Sequence, residues 1–388
     1  MIGKGLARGD DPRWKPWKVA VAAVAIERLI VFTVGYAANS PVARLFHVRA
    51  DRGLSLWDQW DATYFIRIAQ HGYATSSGYH DEAFFPLFPL LIRGVTAFGI
   101  GPVAAALAIN TLALIVACRY LFDLAEATIG AGLGLRAVLF LVLFPTALFL
   151  VVPYSESLFL AGAVPSFLFA RQRRWLPAGI AAAVAVGSRP VGIFLVAGLV
   201  VEFVRQKRFS VRDMRSAVVG IVVALLPLLV YGCYLWSTRG TPAYFLTAER
   251  VAWQRTFVGP VTSFTNSVDG MLSVRVDPDG FANLRRYWRM AESAGEIAAV
   301  ILAIVVVVWS VRRREWGWAT FAGFTTAALA TSRYYYSVPR MLLSLFPVML
   351  FFAAVTRAHR TTYITTLSLS VIGLCLGTIL FTHRFWFY

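Results

Sequence analysis

The sequence predicts an all-α, polytopic membrane protein. Of its 388 residues, 58% are hydrophobic and only 15% are charged, whereas an average soluble domain carries roughly 25% charged residues. The apolar residues fall in runs that are long enough to cross a bilayer, which takes about 20 residues in a helix. A soluble fold of this length would have to expose much of that apolar surface, so the composition excludes a soluble enzyme.

The distribution of charge favours a membrane protein over a nucleic-acid-binding protein. The formal net charge is +17, and the cytoplasmic loops of membrane proteins collect Lys and Arg. The basic residues do not form a face that would fit a nucleic-acid groove. We therefore expect membrane lipids, and no nucleic acid, as partners. The lysines all lie in basic stretches beside apolar runs: Lys4, Lys15, Lys18 and Lys207.

The first apolar run, 19–38, predicts a transmembrane helix whose N-terminus lies in the cytoplasm. Small residues at 37–40 would also suit the cleavage site of a signal peptide, but the charged Glu27 and Arg28 in the middle of the run argue against that alternative. Adjacent residues of a helix point about 100° apart. We therefore expect Glu27 and Arg28 to need partners other than each other.

The segment 176–203 predicts two short helices instead of one span. It lies between basic clusters at 171–174 and 205–208, and two cytoplasmic flanks require an even number of crossings. The residue before a proline disfavours helix, which places the hinge at Gly187-Ser188-Arg189-Pro190. With this pair the chain has about eleven spans. The others are 19–38, 103–125, 133–150, 154–170, 216–236, 293–311, 316–332, 340–356 and 361–381.

In this layout residues 1–388 form a single integral membrane domain with two long extracytoplasmic loops, 39–102 and 237–292. The C-terminal residues 382–388 also lie outside. The second loop is a possible acceptor-binding region, and interfacial anchoring is the alternative. The residues concerned are Tyr244, Trp253, Tyr287, Trp288, Arg250, Arg255 and Arg289.

The first outer loop carries the clearest chemical signal. Placed on one helix, the aromatic residues and the arginine of 57–73 form a stripe that suits a helix lying in the headgroup layer. Asp58 and Asp61 lie three apart on the neighbouring face, where a carboxylate could act as general base on a lipid-borne substrate. The alternative is that both are solvated surface charges. The stripe consists of Trp57, Trp60, Tyr64 and Arg67.

The amino-acid sequence of this loop resembles the PIG-V family of the GT-C glycosyltransferase superfamily. The eukaryotic member of the PIG-V family is GPI mannosyltransferase 2. Later segments agree, although Ser188-Arg189-Pro190-Val191-Gly192 departs from the Arg-Ser-Asn-Gly-like sequence of the family. The matching segments are Trp60-Asp61, Phe65, Ile68-Ala69, His71-Gly72-Tyr73, Ala83-Phe84-Phe85-Pro86-Leu87-Phe88-Pro89, Pro153-Tyr154-Ser155-Glu156, and Ser332-Arg333-Tyr334 to Pro339-Arg340.

The resemblance implies a GT-C-type fold with interfacial helices in the first extracytoplasmic loop. It also implies a glycosyltransferase that moves mannose from polyprenyl phosphate mannose to an acceptor with inversion. Asp61 matches the acidic residue that GT-C enzymes use as general base, whereas Asp58 is extra and would bind the acceptor or have no role. Arginines at the outer ends of spans would hold the departing phosphate, or would be ordinary interfacial anchors. They are Arg189, Arg333, Arg340 and Arg384.

Four further residues are candidates for substrate binding. His71 and His80 would donate hydrogen bonds to phosphate, with simple surface exposure as the alternative. Tyr154 and Glu156 would bind sugar hydroxyls, or would form a turn at the end of a span. No metal and no cofactor is expected, because Asp277-Pro278-Asp279-Gly280 reads as a turn and the three cysteines all sit in apolar runs.

Two other functions stay open at the level of sequence. One is a GT-C enzyme that uses another lipid-linked sugar. The other is a transporter or lipid flippase, which would place its site near the bilayer midplane and not on an outer surface helix. Arg richness with few lysines indicates a GC-rich bacterial genome, in which no GPI acceptor exists. The acceptor would be a glycolipid, a glycan or a protein.

Overall fold

A computed structural model describes residues 15–40, 53–73, 80–206, 210–272 and 280–385, with the backbone alone for 280–289. The described chain is helical, with one isolated bridge between Phe257 and Ser332, which confirms the all-α class. The helices are α1 Lys15–Ala38, α2 Asp61–His71, α3 Leu87–Thr96, α4 Pro102–Thr128, α5 Gly134–Val142, α6 Leu148–Val151, α7 Glu156–Arg171, α8 Trp175–Ser188, α9 Gly192–Arg205, α10 Val211–Arg239, α11 Tyr244–Trp253, α12 Pro260–Leu272, α13 Gly280–Arg312, α14 Trp316–Ala330, α15 Val338–Met341, α16 Pro347–Val355 and α17 Arg360–Thr382.

Five helices of the described chain are long and apolar enough to cross a membrane: α1, α4, α10, the Met290–Arg312 part of α13, and α17. They coincide with five of the predicted spans. A sixth candidate is the pair Val338–Ser344 and Pro347–Val355, which is bent by 89°. The remaining predicted spans correspond to shorter helices, so the total of eleven stays a prediction.

The predicted hinge in 176–203 is confirmed. Helix α8 ends at Ser188, Arg189 is extended with φ −154° and ψ 143°, and α9 begins at Gly192. The cause is local, since Pro190 pushes the preceding residue out of the helical region.

The predicted span 133–150 is wrong as a single helix. Helix α5 ends at Val142, and the chain turns through Pro145 before the four-residue helix α6. A proline inside a helix lacks the N–H for the backbone hydrogen bond and clashes with the preceding turn, so the run is broken in two.

The single helix expected over 57–73 is also wrong. Trp57 belongs to a 3₁₀ turn, Gly53–Trp57, and is fully buried against Phe32 and Tyr36 of α1, with ring centroids 5.2 and 5.8 Å apart. Trp60 has φ 57°, which a continuing right-handed helix does not allow. Helix α2 therefore begins only at Asp61, and Asp58 lies before the break.

Glu27 and Arg28 correct another expectation, because they pair with each other. Arg28 Nη1 donates to Glu27 Oε2 over 2.7 Å, and both residues are buried. Arg28 also donates to Thr111 Oγ1 over 3.1 Å and to the Leu150 carbonyl over 3.2 Å. The arginine side chain is long enough to reach Glu27 although the two positions point about 100° apart on the helix. The further contacts of Arg28 connect α1 to α4 and α6.

The ends predicted to be cytoplasmic lie together in the structure. Arg313 donates to the Thr128 carbonyl over 3.0 Å, which joins α13 to α4. Arg205 of α9 pairs with Glu315 at 2.9 Å, and Arg171 of α7 pairs with the same carboxylate. Helices α7, α9 and α14 are thus tied together at one end. Their other ends surround the cavity described below.

Close glycine contacts hold the central helices together. A Cβ added to Gly179 of α8 would lie 2.1 Å from the carbonyl oxygen of Gly220 in α10. Small residues allow helix backbones in membranes to approach each other this closely. The contact fixes α8, and with it the position of the hinge that follows.

We therefore expect Gly179→Ala to destabilise the protein by about 1–3 kcal/mol, the usual effect of overpacking. The measurement is thermal unfolding of the purified protein in detergent. Gly94→Ala is the matched control, because it is also helical and its added Cβ meets nothing within 4 Å. Equal unfolding temperatures for the two variants would contradict the prediction.

Candidate functional site

A cavity of about 900 Å³ opens where the ends of several helices converge. Its walls come from the start of α2, the start of α7, the break between α8 and α9, helix α11 with the residues after it, the end of α14, and α15. Loops and helix ends form the site, while the long helices support it. The polar and charged residues that line it include Asp61, Tyr154, Ser155, Glu156, Arg189, Glu249, Arg250, Arg255, Tyr336 and Arg340.

Asp61 lies at the boundary between this cavity and a smaller adjoining pocket of about 210 Å³. Its backbone N–H donates to the Tyr154 hydroxyl over 3.2 Å, and its Oδ2 accepts from Arg340 Nη1 over 2.7 Å. The residue is only 9% exposed. Tyr154 therefore holds the backbone at Asp61, and Arg340 holds the carboxylate itself. The smaller pocket is lined by Trp60, Asp61, Tyr64, Ala252, Trp253 and Tyr336.

Glu156 connects two arginines of the cavity. Its Oε1 lies 2.5 Å from Arg189 Nη1 and 3.5 Å from Arg340 Nε. Since Arg340 also pairs with Asp61, carboxylates and guanidiniums alternate along one buried chain of contacts. Arg340 lies 5.2 Å from the ring centroid of Tyr154, a distance at which aromatic faces stabilise a cation. Glu156 thus positions both guanidiniums at the cavity wall.

The turn before α15 presents Arg340 to the cavity. Ser337 has φ 61°, and its side chain does not cap α15. The carboxylate of Glu296 in α13 supplies the missing cap, because it accepts from the N–H groups of Ser337 and Val338 over 2.7 Å each. Glu296, which lies 41 and 42 positions before these two residues, therefore holds the start of the short helix that carries Arg340.

The wall formed by Phe84 and Phe85 is held in a similar way. Asp81 pairs with Arg67 of α2, and Glu82 accepts from Arg239 Nε of α10 over 2.7 Å. The two preceding acidic residues therefore anchor this segment to two different helices. Asp81 and Glu82 therefore have a structural role in forming the cavity wall.

Tyr336 lines both pockets beside Asp61. Burial, reinforced by the nearby Asp61 carboxylate, raises the pKa of Tyr336 to about 12. The phenol therefore stays protonated at neutral pH and keeps an O–H donor at the boundary of the two pockets. In the sequence Tyr336 is one of three consecutive tyrosines, and no pattern distinguishes it from the other two.

Five of the predicted site residues line the cavity together: Asp61, Tyr154, Glu156, Arg189 and Arg340. Their side chains come from four separate parts of the chain. Glu156 pairs with Arg189, which the sequence did not indicate. The structure supplies the grouping, while the chemical role of each residue remains a proposal.

The structure does not bring five other predicted residues to the described cavity walls: Asp58, His71, His80, Arg333 and Arg384. Asp58 is hydrogen-bonded to the side chain of Thr63, and burial raises the pKa of its carboxyl. His71 is exposed at the far end of α2, and His80 precedes the 3₁₀ turn of Asp81. Arg333 is exposed and donates to Gln254 Oε1 over 3.4 Å.

The second long loop contributes more than the sequence indicated. Leu246, Arg250 and Trp253 follow the i, i+4, i+7 spacing of one helix face, and all three line the cavity. That spacing was visible in the sequence and would have identified the face. The side chains of Tyr287, Trp288 and Arg289, and the turn 277–279, lie outside the described residues.

The chain belongs to the mannosyltransferase (PIG-V) family, whose family model matches residues 37–237, just over half of the sequence. It is therefore a membrane glycosyltransferase, and the resemblance seen in the sequence is confirmed. Among solved structures, the chain is similar to ArnT from Cupriavidus metallidurans bound to undecaprenyl phosphate. The two are 14% identical, with a TM-score of 0.49, and the match covers 94% of this chain and 76% of ArnT. Comparison with curated proteins gives no match.

The cap on α15 generates a prediction for Glu296. In Glu296→Gln one of the two N–H groups loses its acceptor, and a buried donor without a partner costs about 1–3 kcal/mol. We expect a lower unfolding temperature together with lower glycosyl transfer, because Arg340 is displaced. The control is Asp269→Asn, an exposed carboxylate on α12. A Glu296→Gln protein with normal stability and transfer would show that the cap does not hold the site.

Proposed function

We propose that the protein transfers mannose from polyprenyl phosphate mannose to an acceptor hydroxyl on the extracytoplasmic side of the membrane. The observation that carries this proposal is the position of Asp61, which faces two adjoining pockets at once. An inverting transferase needs donor and acceptor sites that meet beside its base, so that the acceptor oxygen can reach the anomeric carbon. The family of the chain supports mannose as the transferred sugar.

The larger cavity suits the donor. Its wall includes apolar residues such as Val191, Phe194 and Leu329, which can contact an isoprenoid chain, while Arg189 and Arg340 lie where the charged end would be bound. Arg offers a planar, two-pronged geometry for phosphate oxygens. The smaller pocket, with Tyr64, Trp253 and Tyr336 around Asp61, would receive the acceptor.

In the proposed reaction the acceptor hydroxyl gives its proton to the Asp61 carboxylate. Its oxygen bonds to the anomeric carbon from the face opposite the phosphate, and the bond from that carbon to the phosphate oxygen breaks. The configuration inverts, so a β-linked donor gives an α-mannoside. Arg340 keeps the carboxylate in position for proton transfer, since it holds Oδ2 over 2.7 Å.

The first prediction from this proposal concerns the base. We expect Asp61→Asn to reduce mannosyl transfer by about 10²–10⁴-fold, the usual loss for a general base. The amide oxygen still accepts from Arg340, and Glu156 still lies 3.5 Å from that guanidinium as a counter-charge. The variant therefore folds and binds the donor, but its unfolding temperature is lower because one buried charge is lost. The measurement is transfer from labelled polyprenyl phosphate mannose to acceptors in a membrane extract.

Asp58→Asn is the matched control for this experiment. Asp58 lies three positions earlier but does not line the described cavity, so we expect it to keep most of the activity. If Asp58→Asn lost transfer and Asp61→Asn retained it, the assignment of the base would be wrong.

The second prediction concerns the side of the membrane. With native cysteines replaced by alanine, Phe98→Cys and Phe385→Cys should react with an impermeant thiol reagent in intact cells. Ser210→Cys should react only after permeabilisation. All three positions are exposed. Labelling of Phe98→Cys only after permeabilisation would place the site on the cytoplasmic side.

A further inference from the structure

The cavity carries an arginine that no carboxylate of the described residues neutralises. Four arginines line the cavity, together with three carboxylates. Arg250 is exposed and makes no ion pair among the described residues, so the lining keeps one excess positive charge. The other arginines pair as Arg189 with Glu156 at 2.5 Å, Arg340 with Asp61 at 2.7 Å, and Arg255 with Glu249 at 3.4 Å.

Helix α11 holds Arg250 in place from both sides. Phe245 packs on Phe85 with ring centroids 5.4 Å apart, and Trp253 packs on Phe84, also at 5.4 Å. Arg250 lies one turn before Trp253, which corresponds to a rise of about 4.5 Å. Trp253 shares the smaller pocket with Asp61. The backbone of Arg250 is therefore anchored close to the base, while its guanidinium stays accessible.

We propose that Arg250 binds the phosphate of the lipid-linked donor together with Arg189 and Arg340, which line the same cavity. This inference rests on the proposed function, which supplies a phosphate-linked sugar. A paired arginine has to share its charge with the carboxylate that already holds it. Arg250 has no such competitor among the described residues, so a phosphate gains its full attraction.

The charge change during transfer favours this assignment. The donor is a phosphodiester with one negative charge. When the bond from the anomeric carbon to the phosphate oxygen breaks, the electron pair stays on that oxygen, and the lipid leaves as a monoester with a second negative charge. A cation already in place stabilises charge that develops in the transition state. The buried network holds two carboxylates and two guanidiniums, so its formal charge is zero.

The test measures the binding of undecaprenyl phosphate to purified variants in detergent, with tryptophan fluorescence as the readout. We expect Arg250→Gln to weaken binding about 10-fold or more, since a charge-assisted hydrogen bond to the phosphate is lost. Arg250→Lys should recover part of the loss. Undecaprenol, which lacks the phosphate, should bind all variants equally. The matched control is Arg93→Gln, an exposed arginine of α3 that does not line the cavity.

Unchanged undecaprenyl phosphate binding in Arg250→Gln would overturn the inference. So would an equal loss of binding to phosphatidylglycerol vesicles, because Arg250 would then be a general anchor at the membrane surface. The proposed function fails separately: if the wild-type protein binds undecaprenyl phosphate but transfers no mannose, the binding comparison still decides the role of Arg250. If the wild-type protein does not bind this lipid, both proposals are wrong.

Discussion

The site depends on four charged side chains that are buried together. Asp61, Arg340, Glu156 and Arg189 are each at most 9% exposed and form one chain of ion pairs. A buried pair that loses one partner is destabilised by about 3–5 kcal/mol, because the remaining charge has no compensation. The four residues come from α2, α7, the break after α8, and α15. These elements must therefore meet in one arrangement, which also shapes the cavity.

The charges converge because each lies at a helix end or a break. Asp61 follows Trp60, and Arg340 follows Ser337, which are two of the non-glycine residues with positive φ. Arg189 occupies the break imposed by Pro190. The positive φ of Trp60 and Ser337 is disfavoured for residues with a side chain, and such conformations persist where the surrounding structure holds them in place, most often at functional sites. Here the ion pairs and the Glu296 cap provide that support.

The helix packing behind the site also holds in place the helix ends that carry the charged residues. The contact of Gly179 with Gly220 fixes α8 against α10, and the cluster of Arg171, Arg205 and Glu315 ties α7, α9 and α14 together at the other end. The cavity ends of these helices are thus set by contacts far from the cavity. This leaves α11, the element that carries Arg250, to pack over the opening through its aromatic residues.

The sequence by itself determined the membrane class, five of the spans, the hinge before Pro190 and the family. It also indicated the five residues that line the cavity, because apolar runs, proline effects and short motifs depend on neighbouring positions. Only the tertiary structure decided that Arg340, and not Arg333, meets Asp61, since those partners are 279 positions apart. Only the tertiary structure likewise decided that Glu296 caps α15 and that Tyr336 lines the site. It also decided that Trp57 is buried, which is incompatible with the predicted surface helix. Each of these depends on which distant helix ends meet, and no local pattern encodes that.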